Sequence, residues 1–195
     1  MNDRPIIRCP WCLSDPDYTR YHDTEWGVPL YDEKKLFSLL ILEGAQAGLS
    51  WLTILKRRSG YMTALDGLDP EKLACYTEQD IYRLLQDGRI IRNRRKLESA
   101  IQNARAFLAM KDQGINFSDW LWAWVEGTPI QNQWRSISEV PTFTPLSEII
   151  SRELKQRDFT FVGPTIMYAY MQSAGLVNDH LVDCFRYRKL TSGAS

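Results

Sequence analysis

Helix start and stop signals recur along this chain of 195 residues, and strand signals do not. Asp32 precedes Glu33–Ala45, where Leu36, Phe37, Leu40 and Ile41 fall at helical spacing. Gly48 breaks that run and Leu49–Arg58 resumes it. Asp69-Pro70 is a cap with proline at the first helical position, and Thr77 with Asp80 reads as a capping box before Ile81, Leu84 and Leu85. Asp87-Gly88 marks a turn, after which Asn93–Lys111 reads as a long amphipathic helix ending near Gly114. Ser118 opens a helix carrying Trp120, Trp122 and Trp124. Thr144-Pro145 opens a charged helix ending near Asp158, and Gly163-Pro164 a buried one through Met171, stopped by Gly175. The alternation over 120–124 also fits a strand, but no partner strand is visible, so helix is the reading. The chain reads as one all-α domain over 1–190, with 191–195 as a polar tail.

An apolar share of 44% excludes a disordered chain. Every long apolar stretch is broken by Glu, Lys or Arg, so no membrane-spanning helix is expected and no membrane partner. Met1-Asn-Asp-Arg-Pro-Ile-Ile-Arg8 lacks the apolar core of a secretory signal, which points to the cytoplasm. A net charge of zero leaves nucleic acid open as a partner, because binding needs a local basic patch and not a basic total.

With four cysteines, no signal peptide and a chain of this size, thiols are expected rather than disulfides. Cys9-Pro-Trp-Cys12 has the C-x2-C spacing of a zinc knuckle, and His180 and Cys184 lie one helical turn apart. Together they make a four-ligand set, with His22, the other of only two histidines, competing for the fourth place. Such a shell would join the first and last segments of the fold, and, being closed, would be structural.

Trp11, Tyr18, Tyr21 and Trp26 crowd a polar stretch, and Glu43 falls late in a largely apolar helix, shortly before Trp51. Rings with one carboxylate suit a flat cationic ligand held by stacking and cation–π attraction. The plainer reading is core rings and a Glu43 that caps a neighbouring helix. Arg89, Arg92, Arg94, Arg95 and Lys96 crowd the turn between two expected helices, Glu78–Gln86 and Asn93–Lys111. A helix–turn–helix unit with glycine in the turn can hold a phosphate on its amides, with cations adding neutralisation. Lys56-Arg57-Arg58 offers a second patch. A solvated charged face is the ordinary alternative.

The runs Tyr21-His-Asp-Thr-Glu-Trp-Gly-Val-Pro29, Leu42-Glu-Gly-Ala-Gln-Ala-Gly-Leu-Ser-Trp51, Ile90-Ile-Arg-Asn-Arg94 with Lys96, Phe161-Val-Gly163 and Gly175-Leu-Val-Asn-Asp-His180 resemble the DNA-3-methyladenine glycosylase I family, of the helix–hairpin–helix glycosylase superfamily. They spread over nearly the whole chain, from Cys9 to Cys184. The resemblance implies a single helix–hairpin–helix glycosylase domain that flips and hydrolytically releases 3-methyladenine from alkylated double-stranded DNA. It implies an abasic product without a lyase step, free 3-methyladenine as the other product, and a monomer working on the bacterial nucleoid. One structural Zn2+ per chain would fall on Cys9, His22, His180 and Cys184. Base binding would fall on Trp11, Tyr18, Tyr21, Glu43 and Trp51, with Glu43 the catalytic group. DNA contacts would fall on Gly48 and Leu49, in a turn that probes the duplex, and on Gly88, Arg92 and Arg94 in the hairpin. Arg89 stands where the family often has glycine, and Ala45 where some members have glutamine.

A 3-methylated adenine in DNA is cationic and leaves as a neutral base, so strong general-acid help is unnecessary. Glu43 would favour the cation and accept from its exocyclic amine, and help to attacking water stays open. A zinc-stapled module that binds a modified base without chemistry is the alternative of another class.

Overall fold

Side-chain caps place most of the helix starts. The structure, a computed structural model, describes residues 6–191. A 3-10 turn over Pro10–Ser14 leads into α1 (Pro16–Thr24), where Asp15 accepts from the Asp17 amide at 2.8 Å. Asp32 caps α2 (Glu33–Gln46) by accepting from the Lys35 amide at 2.9 Å, and Ser50 caps α3 (Trp51–Ala64) through the Thr53 amide at 3.3 Å. Then come α4 (Pro70–Ala74), α5 (Glu78–Leu85), α6 (Arg94–Asp112) and α7 (Phe117–Ala123). The last part holds α8 (Pro145–Gln156), α9 (Pro164–Ser173) and α10 (Phe185–Thr191). No helix among the described residues is long and apolar enough to cross a membrane.

Four details differ from the sequence reading. The ring-rich segment before Trp26 folds as the 3-10 turn and α1, since Asp15 and Pro16 supply a cap and a first helical residue. The helix expected from Leu49 starts at Trp51, because Gly48 takes a φ of +75° and Ser50 holds the cap. It also runs past Arg58, through Gly60. There a Cβ would sit 2.6 Å from the Arg89 carbonyl oxygen, so glycine permits the hairpin to close on α3. Finally, Ile130–Gln131 (β1) pairs in parallel with Val177–Asn178 (β2), a two-residue ladder too short to leave a strand pattern. Of the expected tail, Thr191 ends α10 and 192–195 lie outside the described residues.

The core is continuous across α2, α3, α6, α7 and α9. Phe37 meets Phe107 at 4.9 Å between ring centroids, and Phe107 meets Phe117 at 5.4 Å. Buried Tyr170 on α9 donates to the Leu36 carbonyl at 3.0 Å, which fixes α9 against α2. That contact sets the two walls that carry Glu43 and Ser173.

Candidate functional site

A cavity of ≈220 Å³ opens between the N-terminal rings, the end of α2 and α9. Trp11, Tyr18, Tyr21, Glu43 and Trp51 all line it, so the structure brings together every residue the sequence placed in the pocket. Trp11 packs edge-on against Tyr18 (4.7 Å) and Trp26 (5.0 Å), and Tyr21 tilts against Trp51 at 5.5 Å. Glu43 is 1% exposed, and Ser173 donates to its Oε1 at 2.6 Å. Burial pushes the Glu43 carboxyl up to about 8, against the lowering effect of Ser173. Burial likewise raises the Tyr21 hydroxyl well above its ordinary value.

Among the described residues, three polar atoms in this wall are buried without a hydrogen-bond partner: the Tyr21 hydroxyl, Glu43 Oε2 and Trp51 Nε1. A buried polar group left unsatisfied costs about 1–3 kcal/mol. Three such groups around one cavity form a preorganised set that a flat, hydrogen-bonding ligand would complete. Neither Ser173 nor Asp179 was expected here. Asp179 also lines the cavity, accepting from Asn132 (2.6 Å), Trp134 (2.9 Å), Tyr168 (2.6 Å) and Gln172 (2.7 Å). It thereby pins the loop carrying Ile137 and Val140, at the cavity's rim, to α9.

Behind the rings, Cys9, His22, His180 and Cys184 are all buried, with their ligand atoms within 4.8 Å of one another. His22 Nδ1 faces the Asp23 carboxylate at 2.8 Å, itself paired with Arg8, and His180 Nε2 faces the Trp26 carbonyl at 3.1 Å. These acceptors claim one ring proton each, which turns the lone pairs of His22 Nε2 and His180 Nδ1 toward each other at 3.1 Å. Two facing lone pairs and two thiols fit a metal cation. Cys12 stands outside the group, with its thiol on the Cys9 carbonyl at 3.1 Å. Of the two candidates for the fourth place, His22 and not Cys12 joins the buried cluster that could hold a metal ion.

α5, the turn after it and α6 form a helical hairpin. Its cations are differently committed. Arg89 folds back on Asp87, which also accepts from the Arg89 amide, and Arg94 pairs with Glu78 (2.9 Å) and Glu98 (3.3 Å). Lys96 points inward, to carbonyls of the α2 end. Among the described residues, Arg92 and Arg95 are the cluster's arginines without an acidic partner. Gly88 is exposed, has no positive φ and has open space where a Cβ would sit, and Arg89 has no positive φ either. The turn therefore tolerates arginine at 89. Leu49 stands 41% exposed beside Gly48 on the turn between α2 and α3.

Residues 11–187 match the model of the methyladenine glycosylase family. DNA-3-methyladenine glycosylase 1 of Escherichia coli (strain K12) is 50% identical over 180 residues, 92% of this chain and 96% of that protein. A crystal structure of a 3-methyladenine DNA glycosylase I aligns with a TM-score of 0.90 at 49% identity, covering 92% of this chain and 98% of that one. A second, a tyrosine-to-phenylalanine variant in complex with 3-methyladenine, aligns with a TM-score of 0.88 at 41% identity, covering 91% and 96%.

Proposed function

The chain belongs to the methyladenine glycosylase family, enzymes that hydrolyse N-glycosyl bonds, and from that premise we propose that it excises 3-methyladenine from alkylated double-stranded DNA. The carrying observation is the trio of unpartnered atoms, Tyr21 hydroxyl, Glu43 Oε2 and Trp51 Nε1, in one ring-lined cavity. In this reading the damaged nucleotide rotates out of the stack, at a cost of a few kcal/mol, and its base slides between the rings. Trp51 and Tyr21 donate, and Glu43 accepts from the exocyclic amine.

In the resting pocket Glu43 holds its proton at neutral pH, being pushed up to about 8 by burial. The cationic base supplies the opposite charge that burial withheld, so the proton leaves to solvent as the base binds. The glycosidic bond then breaks with its electron pair going to the base, which departs neutral, and water adds to the resulting sugar cation, its surplus proton passing to solvent. Among the described residues no lysine lines the cavity, so in this reading no Schiff base forms and the strand stays whole.

Cys9, His22, His180 and Cys184 would hold one structural zinc. Tetrahedral zinc places such ligand atoms roughly 3.3–3.8 Å apart; here four of the six pairs lie at 3.1–3.8 Å, and all lie within 4.8 Å. When bound, zinc supplies a cross-link between the chain's two ends and no open position for water. It would fix His22 beside Tyr21 and His180 against Trp26, and so the ring wall. We place the enzyme in the bacterial cytoplasm, as a monomer on duplex DNA, with Gly48, Leu49, Gly88, Arg92 and Arg94 in the contact surface.

Product analysis tests this reading. Duplex DNA carrying 3-methyladenine should acquire abasic sites that break only on treatment with alkali. Strands cut without alkali would contradict the absence of a lyase step. Tight binding with no abasic site would favour a binding module, which explains the rings and zinc but leaves the proton on Glu43 without a purpose.

A further inference from the structure

Lys96 sits in the first turn of α6, the second helix of the hairpin, yet its ammonium is turned away from solvent. Nζ donates to the carbonyls of Ala45 and Ala47, each at 2.7 Å. Those carbonyls end α2, two and four residues beyond Glu43. The last carbonyls of a helix lack partners within it, and a cation there also meets the negative end of the helix dipole. Among the described residues, the hydrogen bonds that join 45–49 to another part of the chain both come from Lys96.

The turn has little else to hold it. Its internal bonds are Ala47 N–H to the Gly44 carbonyl (3.3 Å) and Leu49 N–H to the Gln46 carbonyl (2.6 Å). Gly48 has open space around its Cβ position, and Leu49 stands out into solvent. A lysine at the head of a hairpin helix suggests two other tasks, phosphate contact or nucleophile. Two carbonyl partners oppose the first, and its absence from the cavity lining opposes the second.

We propose that Lys96 is a positioning residue that locks the hairpin to the Gly48–Leu49 turn and to the end of the Glu43 helix. The hairpin's grip on the DNA backbone then sets where the turn and the cavity meet the damaged strand. This rests on the reading of cavity and hairpin given above.

Lys96→Met keeps the aliphatic stem and removes the ammonium. Without DNA present, amide hydrogen exchange at Ala47 and Leu49 should accelerate by about tenfold or more. Single-turnover release of 3-methyladenine from methylated duplex should slow by about tenfold or more, while affinity for the free base stays within about twofold. The salt slope of binding to undamaged duplex should not change, since no phosphate contact is removed. Lys96→Gln, which keeps an amide donor, should fall between wild type and Lys96→Met and covers the case of a poorly folding methionine variant. Combined with Leu49→Ala, Lys96→Met should add less than about twofold to the worse single loss, because both act through one turn. Unaltered exchange, a flatter salt slope, or fully multiplicative losses would overturn the proposal. A wild-type protein that released no base would instead remove the reading of the site, and the exchange measurement would still decide the lock.

Discussion

Ser173 donates a 2.6 Å hydrogen bond to one oxygen of Glu43 and leaves the other buried, without a partner, at the wall of the ring-lined cavity. The carboxyl is thus oriented by one neighbour and left incomplete toward the ligand space. That asymmetry governs both its proton and its use.

The first prediction concerns pH. Glu43 is pushed up to about 8, so kcat/KM on methylated DNA should rise with pH through a limb near that value. Glu43→Gln should lose the limb and most of the activity while remaining folded. Ser173→Ala removes the one interaction that lowers the group, and should move the limb to higher pH. Stability carries the opposite sign. A carboxyl whose folded value is raised stabilises fully below the ordinary value of 4.5, and that contribution is lost as pH rises through about 8. Denaturant midpoints of wild type and Glu43→Gln at pH 5 and pH 9 should therefore diverge. Wild type should lose on the order of a few kcal/mol relative to the variant.

Trp51 supplies both a stacking face and an unpartnered N–H. Trp51→Ala should weaken free 3-methyladenine binding by about 1–3 kcal/mol, the usual worth of base–aromatic stacking. Trp51→Phe, which keeps a ring and loses the donor, should cost less. Calorimetric titration with the free base measures both, and unchanged affinity in Trp51→Ala would make the residue core alone.

The metal shell is tested by content and melting together. Wild type purified without chelator should carry one zinc per chain, and Cys12→Ala should keep it with near-normal stability. His22→Ala should weaken or lose both, since its imidazole is one of the four buried groups that could hold a metal ion. The opposite pattern would restore Cys12 as the ligand.

Much of this arrangement is legible in the sequence, for local reasons. Asp32, Asn93 and Thr144 cap where their residue types and following periodicity say they should, because capping is decided within a turn. The N-terminal rings stand out by their density, and Cys9, His180 and Cys184 by their spacing, whereas His22 competes with Cys12 on residues alone and is favoured by the family resemblance. Ser173 does not stand out, since it reaches Glu43 across 130 positions of sequence and nothing near it marks the meeting. Asp179 was hidden for the same reason: its four donors come from a loop and from α9. The basic cluster misled in one respect. Charge density alone does not reveal that Arg94 is held by two glutamates and that Lys96 faces inward.

That distinction separates two arginines by experiment. Among the described residues Arg92 has no acidic partner, whereas Arg94 shares Glu78 and Glu98. Arg92→Glu should flatten the salt dependence of duplex binding by about one phosphate contact's slope. Arg94→Glu should do so less and also destabilise the hairpin, because it opposes two carboxylates. Free-base affinity should be unchanged in Arg92→Glu, which lies outside the cavity. An unaltered slope in both would make the cluster a solvated face.

The central claim is that the cavity between Tyr21, Glu43 and Trp51 releases a base and does not merely hold one. Single-turnover incubation of wild type with methylated duplex, with chromatography of the soluble fraction, measures it directly. Free 3-methyladenine should appear with wild type and be strongly reduced with Glu43→Gln. DNA bound tightly with its 3-methyladenine still attached, or equal release by both proteins, would contradict the account.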